Sequence, residues 1–307
     1  QRLGVPCTAN TSRTMLLGTL ALREALAMAG INREQLADVA LVSGTTVADM
    51  DCVERHFNAA QSNNALGDCG RSTQEMVQNV GPFGYVTTCS TACSSAANAF
   101  ILGANLLRSG RFKQVVVGGT ECLSRFHFNG FRSLMILDGE PCRPFDDTRA
   151  GLNLGEGAAF VVLETAEHAA QRGVEVLAKL SGWGNACDAF HQTASSDDGI
   201  GAVLSMRQAL KRAALQPADI DYVNAHGTGT PNNDASESAA LHSVFGEKVP
   251  PVSSTKPRTG HTTSASGSIE AVICLLAMRQ GFIPCNLNWQ HAMADGIVPV
   301  AQTLHQQ

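Results

Sequence analysis

The sequence predicts an α/β protein built from two related halves. Two observations carry that reading. Short apolar runs of strand length alternate with runs of helical periodicity along the chain. The order of elements also repeats. ALAMAGINREQLADVALVSGT (25–45) matches ALKRAALQPADIDYVNAHGT (209–228), and SSAANAFILGANLLRSG (94–110) matches ASGSIEAVICLLAMRQG (265–281), in the same order. So long a period excludes a solenoid. The boundary between the halves falls at 157/158, giving halves 1–157 and 158–307.

The elements follow in order. Residues 14–29 form an amphipathic helix on Leu16, Leu17, Leu20 and Leu26, stopped by Gly30. DVALVS (38–43) is a buried strand entering a Gly-Thr turn, and 51–80 is polar and mixed, helix and loop. Residues 85–90 form a strand, followed by a small-residue turn and a helix over 94–108. The strand 114–117 ends at Gly118-Gly119. No long periodic run occupies 120–157, and such a stretch in a compact domain is usually functional. Strands are expected at 158–164, 175–182, 221–225 and 251–254, and helices at 202–214 and 266–279.

Composition narrows the function. Only 16% of the 307 residues are charged, against ~25% in an ordinary soluble protein, so covered surface is expected. A net charge of -5 without a basic run argues against nucleic acid, and the longest apolar stretches are too short to span a bilayer. The ten cysteines form no Cys-x-x-Cys pair, which fits a reduced, cytoplasmic chain.

The strand-end loops carry the chemistry. TACSSA (91–96) puts Cys93 at a strand-to-helix turn, where helix N–H groups favour the thiolate. The matching turns of the second half carry His226 and His261, with Lys256 nearby. One cysteine and two histidines on loops that converge suit acyl transfer through a thioester. Cys89 is the rival nucleophile, but it lies on an apolar strand and reads as core. The same three residues could hold zinc, although Lys256 would compete electrostatically. A Cys/His hydrolase is a further alternative, in which the second histidine and Lys256 have no task. Glu270 falls in an apolar run and needs a buried partner, for which Lys256 is the candidate.

These segments resemble the β-ketoacyl-acyl carrier protein synthases, the elongating condensing enzymes of the thiolase superfamily. TACSSA resembles the nucleophile motif. NAHGTGTP (224–231) with Asp234 and Glu237 resembles the first histidine motif. SSTKPRTGH (253–261) with Glu270 resembles the lysine–histidine motif, and RPFDDTRAGLNLGEGAA (143–159) a fourth segment between the halves. The resemblance implies a thiolase-like duplicated fold in a layered αβαβα arrangement. It implies that Cys93 accepts the acyl chain and that its N–H donates to the oxyanion. His226 and His261 then promote loss of CO2 from a malonyl thioester. Lys256 orders the site with Glu270, Asp234 and Glu237 support it, and Thr228 and Thr230 touch the pantetheine arm. No metal or organic cofactor is implied, because phosphopantetheine on an acyl carrier protein brings both substrates. The implied assembly is a homodimer paired through strand 114–117, or a heterodimer with a related subunit that sets chain length. Against the family pattern, the first half lacks its opening strand and the second its terminal Gly-Phe-Gly-Gly segment. Part of the site is therefore expected to be missing. Ala150, where Asp is commoner, and Asn98, in place of a His, depart from the fatty-acid members, and the implied product is a fatty acid or a polyketide or polyene.

Overall fold

The computed structural model describes residues 11–57, 68–191 and 193–305. Cys7 lies outside them. The chain forms two compact units: Gln1–Gly130, Leu154–Val176 and Thr262–Val272 make the first, and Phe131–Asn153, Leu177–His261 and Ile273–Gln307 the second.

In the first unit, α1 (Arg13–Met28) starts at Ser12, whose side chain accepts the Thr14 N–H. The strand β1 (Val39–Gly44) is buried throughout. Two helices follow in the mixed region, α2 (Met50–His56) and α3 (Arg71–Val80). Next come β2 (Tyr85–Cys89), α4 (Ser95–Arg108), β3 (Gln114–Glu121), α5 (Arg125–Ser133), β4 (Gly157–Glu164) and α6 (Ala166–Arg172). The sheet order is β2-β1-β3-β4, with β1 parallel to both neighbours and β4 antiparallel to β3. Side-chain alternation sorts two cores. Val39, Leu41 and Val116 pack with Met15, Leu22 and Leu26 of α1, whereas Ala40, Val42, Val115 and Val117 pack with Ala99 of α4.

The second unit contains α7 (Ile200–Ala213), β5 (Val223–Asn224), α8 (Pro231–Phe245), β6 (Val252–Ser253) and α9 (Lys256–Thr259). The helix α10 (Ser266–Gln280) precedes β7 (Phe282–Ile283) and β8 (Leu304–His305). β5 and β6 pair in parallel, and Phe145, Ala225, Leu241, Val252 and Ile297 form the core beneath them.

Four expectations change. β3 does not stop at Gly118-Gly119 but runs to Glu121. A Cβ on Gly118 would stand 2.8 Å from the Phe160 Cα, so glycine is what lets β3 lie against β4 there. β3 is also no edge strand: Gln114–Val117 is laddered on both sides, to β1 and β4, so it cannot pair across a two-fold axis. β4, assigned by the 157/158 boundary to the second half, completes the first sheet. Residues 175–182 form no strand. Val176 is 61% exposed there, and apolar alternation without a ladder partner does not make a sheet.

Candidate active site

Cys93 sits on the turn that joins β2 to α4. Ala92 takes φ 51°, a left-handed conformation that costs a side-chain-bearing residue energy and tightens the turn. The Ser95 hydroxyl accepts the Thr91 N–H at 2.9 Å and donates to the Ala92 carbonyl at 2.6 Å. Asn98 Nδ2 donates to Thr91 Oγ1 at 2.8 Å. This leaves Cys93 half-buried, two residues before the first helical position. Small residues allow the helix to start this close to the sheet. A Cβ on Gly44 would stand 2.7 Å from the Ala96 nitrogen. Cys89 is half-buried at the end of β2 against the Ala40 and Val42 core, and burial pushes its thiol pKa up.

The second unit gathers the other expected groups apart from Glu270. The His226 and His261 rings meet edge to face, with centroids 5.2 Å apart and planes at 84°. Lys256 is 1% exposed, and its Nζ lies 3.5 Å from His226 Nδ1. Burial first, and the Lys256 charge second, hold the His226 pKa down at about 3. Its imidazole is therefore neutral at physiological pH.

The carboxylates expected to support the site bind backbone. Glu237, on α8, accepts the N–H groups of His226 and Gly227, both at 2.7 Å. Burial raises its pKa to about 7, against the lowering effect of those two bonds. Asp234 is fully buried and accepts the N–H groups of Phe145 (2.8 Å) and Gly229 (3.2 Å). It thereby ties segment 143–149 to the histidine loop. Thr228 and Thr230 are buried and share a hydrogen bond at 2.8 Å. Glu270 is half-buried on α10, within the segment assigned to the first unit.

Several further residues support the site without having been singled out in the sequence. The Asn153 carbonyl accepts the His261 N–H at 2.7 Å, and its side chain accepts the Cys142 N–H and donates to the Asp138 and Glu140 carbonyls. Ser254 Oγ donates to the Gly227 carbonyl at 2.7 Å and accepts the Lys256 N–H at 3.2 Å, which joins the His226 loop to the Lys256 turn. Phe131 packs edge-on against His261 at 6.3 Å. In the sequence Asn153 falls within the segment 143–159 quoted above, without a role of its own there, and Phe131 had no signal beyond its place in the long aperiodic stretch.

Two domain models match this chain: beta-ketoacyl synthase, N-terminal domain, over residues 7–169, and beta-ketoacyl synthase, C-terminal domain, over 177–290. The chain belongs to the β-ketoacyl synthase family. The β-ketoacyl synthase domains and the 3-oxoacyl-[acyl-carrier-protein] synthase relatives mark it as an acyltransferase-type condensing enzyme. The chain is 31% identical over 296 residues to nodulation protein E of Rhizobium meliloti, covering 92% of this chain and 73% of that one. It is 41% identical over 210 residues to the mitochondrial 3-oxoacyl-[acyl-carrier-protein] synthase of Arabidopsis thaliana, covering 64% of this chain. The chain spans 46% of that synthase's length. Among solved structures, the ishigamide ketosynthase/chain length factor aligns with a TM-score of 0.90 at 30% identity, over 98% of this chain and 78% of that one. A Xenorhabdus doucetiae ketosynthase in complex with its chain length factor aligns at 0.81 and 30% identity, with the same coverage of both chains. The fold is the thiolase-like α/β fold of these ketosynthases. Among the described residues, no helix is long and apolar enough to cross a membrane.

Proposed function

We propose that this β-ketoacyl synthase catalyses decarboxylative Claisen condensation on acyl carrier protein, with Cys93 as nucleophile. The observation that carries the reading is the pair of facing imidazoles with His226 held neutral. Neutral imidazole N–H groups can donate to a developing enolate oxygen without having to lose a charge.

The steps balance as follows. The Cys93 thiolate attacks the carrier-bound acyl thioester, a new C–S bond forms, and the pantetheine thiolate leaves. The malonyl thioester then loses CO2, and its electron pair becomes an enolate stabilised by His226 and His261. The enolate carbon attacks the Cys93 thioester, and Cys93 departs as thiolate. Lys256 keeps His226 unprotonated and, with Glu270, orders the site. Thr228 and Thr230 serve the pantetheine arm, and no metal or organic cofactor takes part. The product is a fatty-acid or polyketide/polyene chain, and Asn98 and Ala150 depart from the ordinary fatty-acid pattern. The similarity to ketosynthases solved with chain length factors supports pairing with a second subunit, a copy of this chain or a relative.

The second reading is the non-condensing partner itself. Cys93 with two histidines speaks against it, because a subunit that only sets chain length has no use for a nucleophile. Intact mass after incubation with an acyl-carrier thioester tests the proposal. A lasting acyl adduct on Cys93 supports it, and rapid release of free acid favours hydrolysis instead.

A further inference from the structure

Glu121 is a titratable side chain that the reaction above does not use, yet it is 1% exposed at the end of β3, where burial raises its pKa to about 7. Its carboxylate accepts three donors from two other segments. The Thr46 N–H lies 2.5 Å away and the Thr45 hydroxyl 3.3 Å, both just after β1. The Ser264 hydroxyl lies 2.8 Å away, on the turn before α10.

Each segment leads toward catalytic groups. The Thr45 N–H donates to the Cys89 carbonyl at 3.0 Å, and the Ser90 hydroxyl to the Thr46 carbonyl at 3.4 Å. Those two residues are the end of β2 and the entry to the Cys93 turn. Ser264 follows His261 by three residues, on a turn where Thr263 takes φ 46°. A Cβ on Gly119 would stand 2.8 Å from the Ser264 carbonyl and 3.1 Å from the Ala96 Cβ, so that turn also presses on the start of α4.

We propose that Glu121 is a positioning residue that clamps the Cys93 turn and the segment just after His261 to the end of β3. The clamp rests on the role given to Cys93 above. In its ionised form the carboxylate only accepts, and Thr46, Thr45 and Ser264 all donate to it. Glutamine would turn an N–H₂ toward one of them and leave a buried donor unpaired.

The test compares Glu121→Gln, Ser264→Ala and the double variant. Alkylation of Cys93 and Cys89 by iodoacetamide is read by peptide mass spectrometry, alongside kcat and KM for acyl transfer. Glu121→Gln is expected to change the ratio of Cys93 to Cys89 alkylation by roughly tenfold, the scale of one lost buried hydrogen bond. It should lower kcat while KM for the carrier holds. Ser264→Ala should move the ratio in the same direction by less, and the double variant should be no worse than Glu121→Gln. A general loss of packing raises both alkylation rates together and leaves the ratio unchanged. That result, or a wild-type ratio in both folded single variants, overturns the clamp. If Glu121→Gln does not fold, the ratio in Ser264→Ala decides alone. Alkylation needs no turnover, so a wild type that never condenses refutes the function without touching this test.

Discussion

His226 is the side chain whose state the reaction depends on most. Burial and Lys256 hold its pKa at about 3, so its ring should not titrate between pH 8 and 5. NMR of the ring protons checks this, and a midpoint near ~6.5 would contradict it. Lys256→Met should move the midpoint upward, because it removes the charge that opposes protonation. The linkage signs differ between neighbours. Below the unfolded pKa of ~6.5 the unfolded state takes up a proton that folded His226 refuses, so its contribution falls as pH drops toward about 3. Glu237, raised to about 7, contributes most below its unfolded pKa and loses that contribution as pH rises through about 7. In Glu237→Gln, urea unfolding should lose this alkaline-side decline between pH 5 and 7.5, and an unchanged profile would contradict the assignment. That His226, His261 and Lys256 come together was legible in sequence, because each lies in a recognisable turn segment. The part played by Asn153 was not, although it lies in the quoted segment 143–159, since its carbonyl meets the His261 N–H only once the loop is folded.

The elements that sequence conveyed best are those with a clear period. β1 and β3 carry the apolar runs 39–42 and 115–117, and α1 and α4 carry one apolar face each. α8 escaped because its buried face is Asp234, Ser236, Ser238, Ala240 and Leu241, with no apolar stripe to find. The close seating of α4 on the sheet leads to a prediction. Gly44→Ala would place a Cβ 2.7 Å from the Ala96 nitrogen and 2.8 Å from the Ser95 carbonyl carbon. Backbone on both sides cannot swing aside, so the variant should lose about 1–3 kcal/mol in urea unfolding. Displacement of α4 should also slow acylation of Cys93. Wild-type stability would mean that α4 is not seated as described. Val116→Lys belongs to the same scale. Val116 is fully buried at the middle of β3, so the lysine should unfold the first unit rather than separate subunits.

For the whole molecule, sequence conveyed the duplication and the family but not how the chain divides. The segments 154–176 and 262–272 join the first unit because β4 ladders to β3 and Gly119 meets the Ser264–Ala265 turn, and neither contact has a periodic signature. The low charged fraction still calls for covered surface. The candidate edge is β2, which pairs only with β1 among the described residues. Sedimentation at micromolar concentration should show a dimer, or a heterodimer once a partner subunit is added, and an active monomer would contradict this. The most direct test of the central claim measures both half-reactions at once, Cys93 acylation by intact mass and CO2 release from malonyl-carrier, in wild type, Cys93→Ala and His261→Ala. The account predicts that Cys93→Ala takes no acyl group, whereas His261→Ala is acylated but releases CO2 ~10²–10³ more slowly, the scale of one lost oxyanion donor. Undiminished CO2 release by His261→Ala, or an acyl group carried by Cys93→Ala, would contradict it.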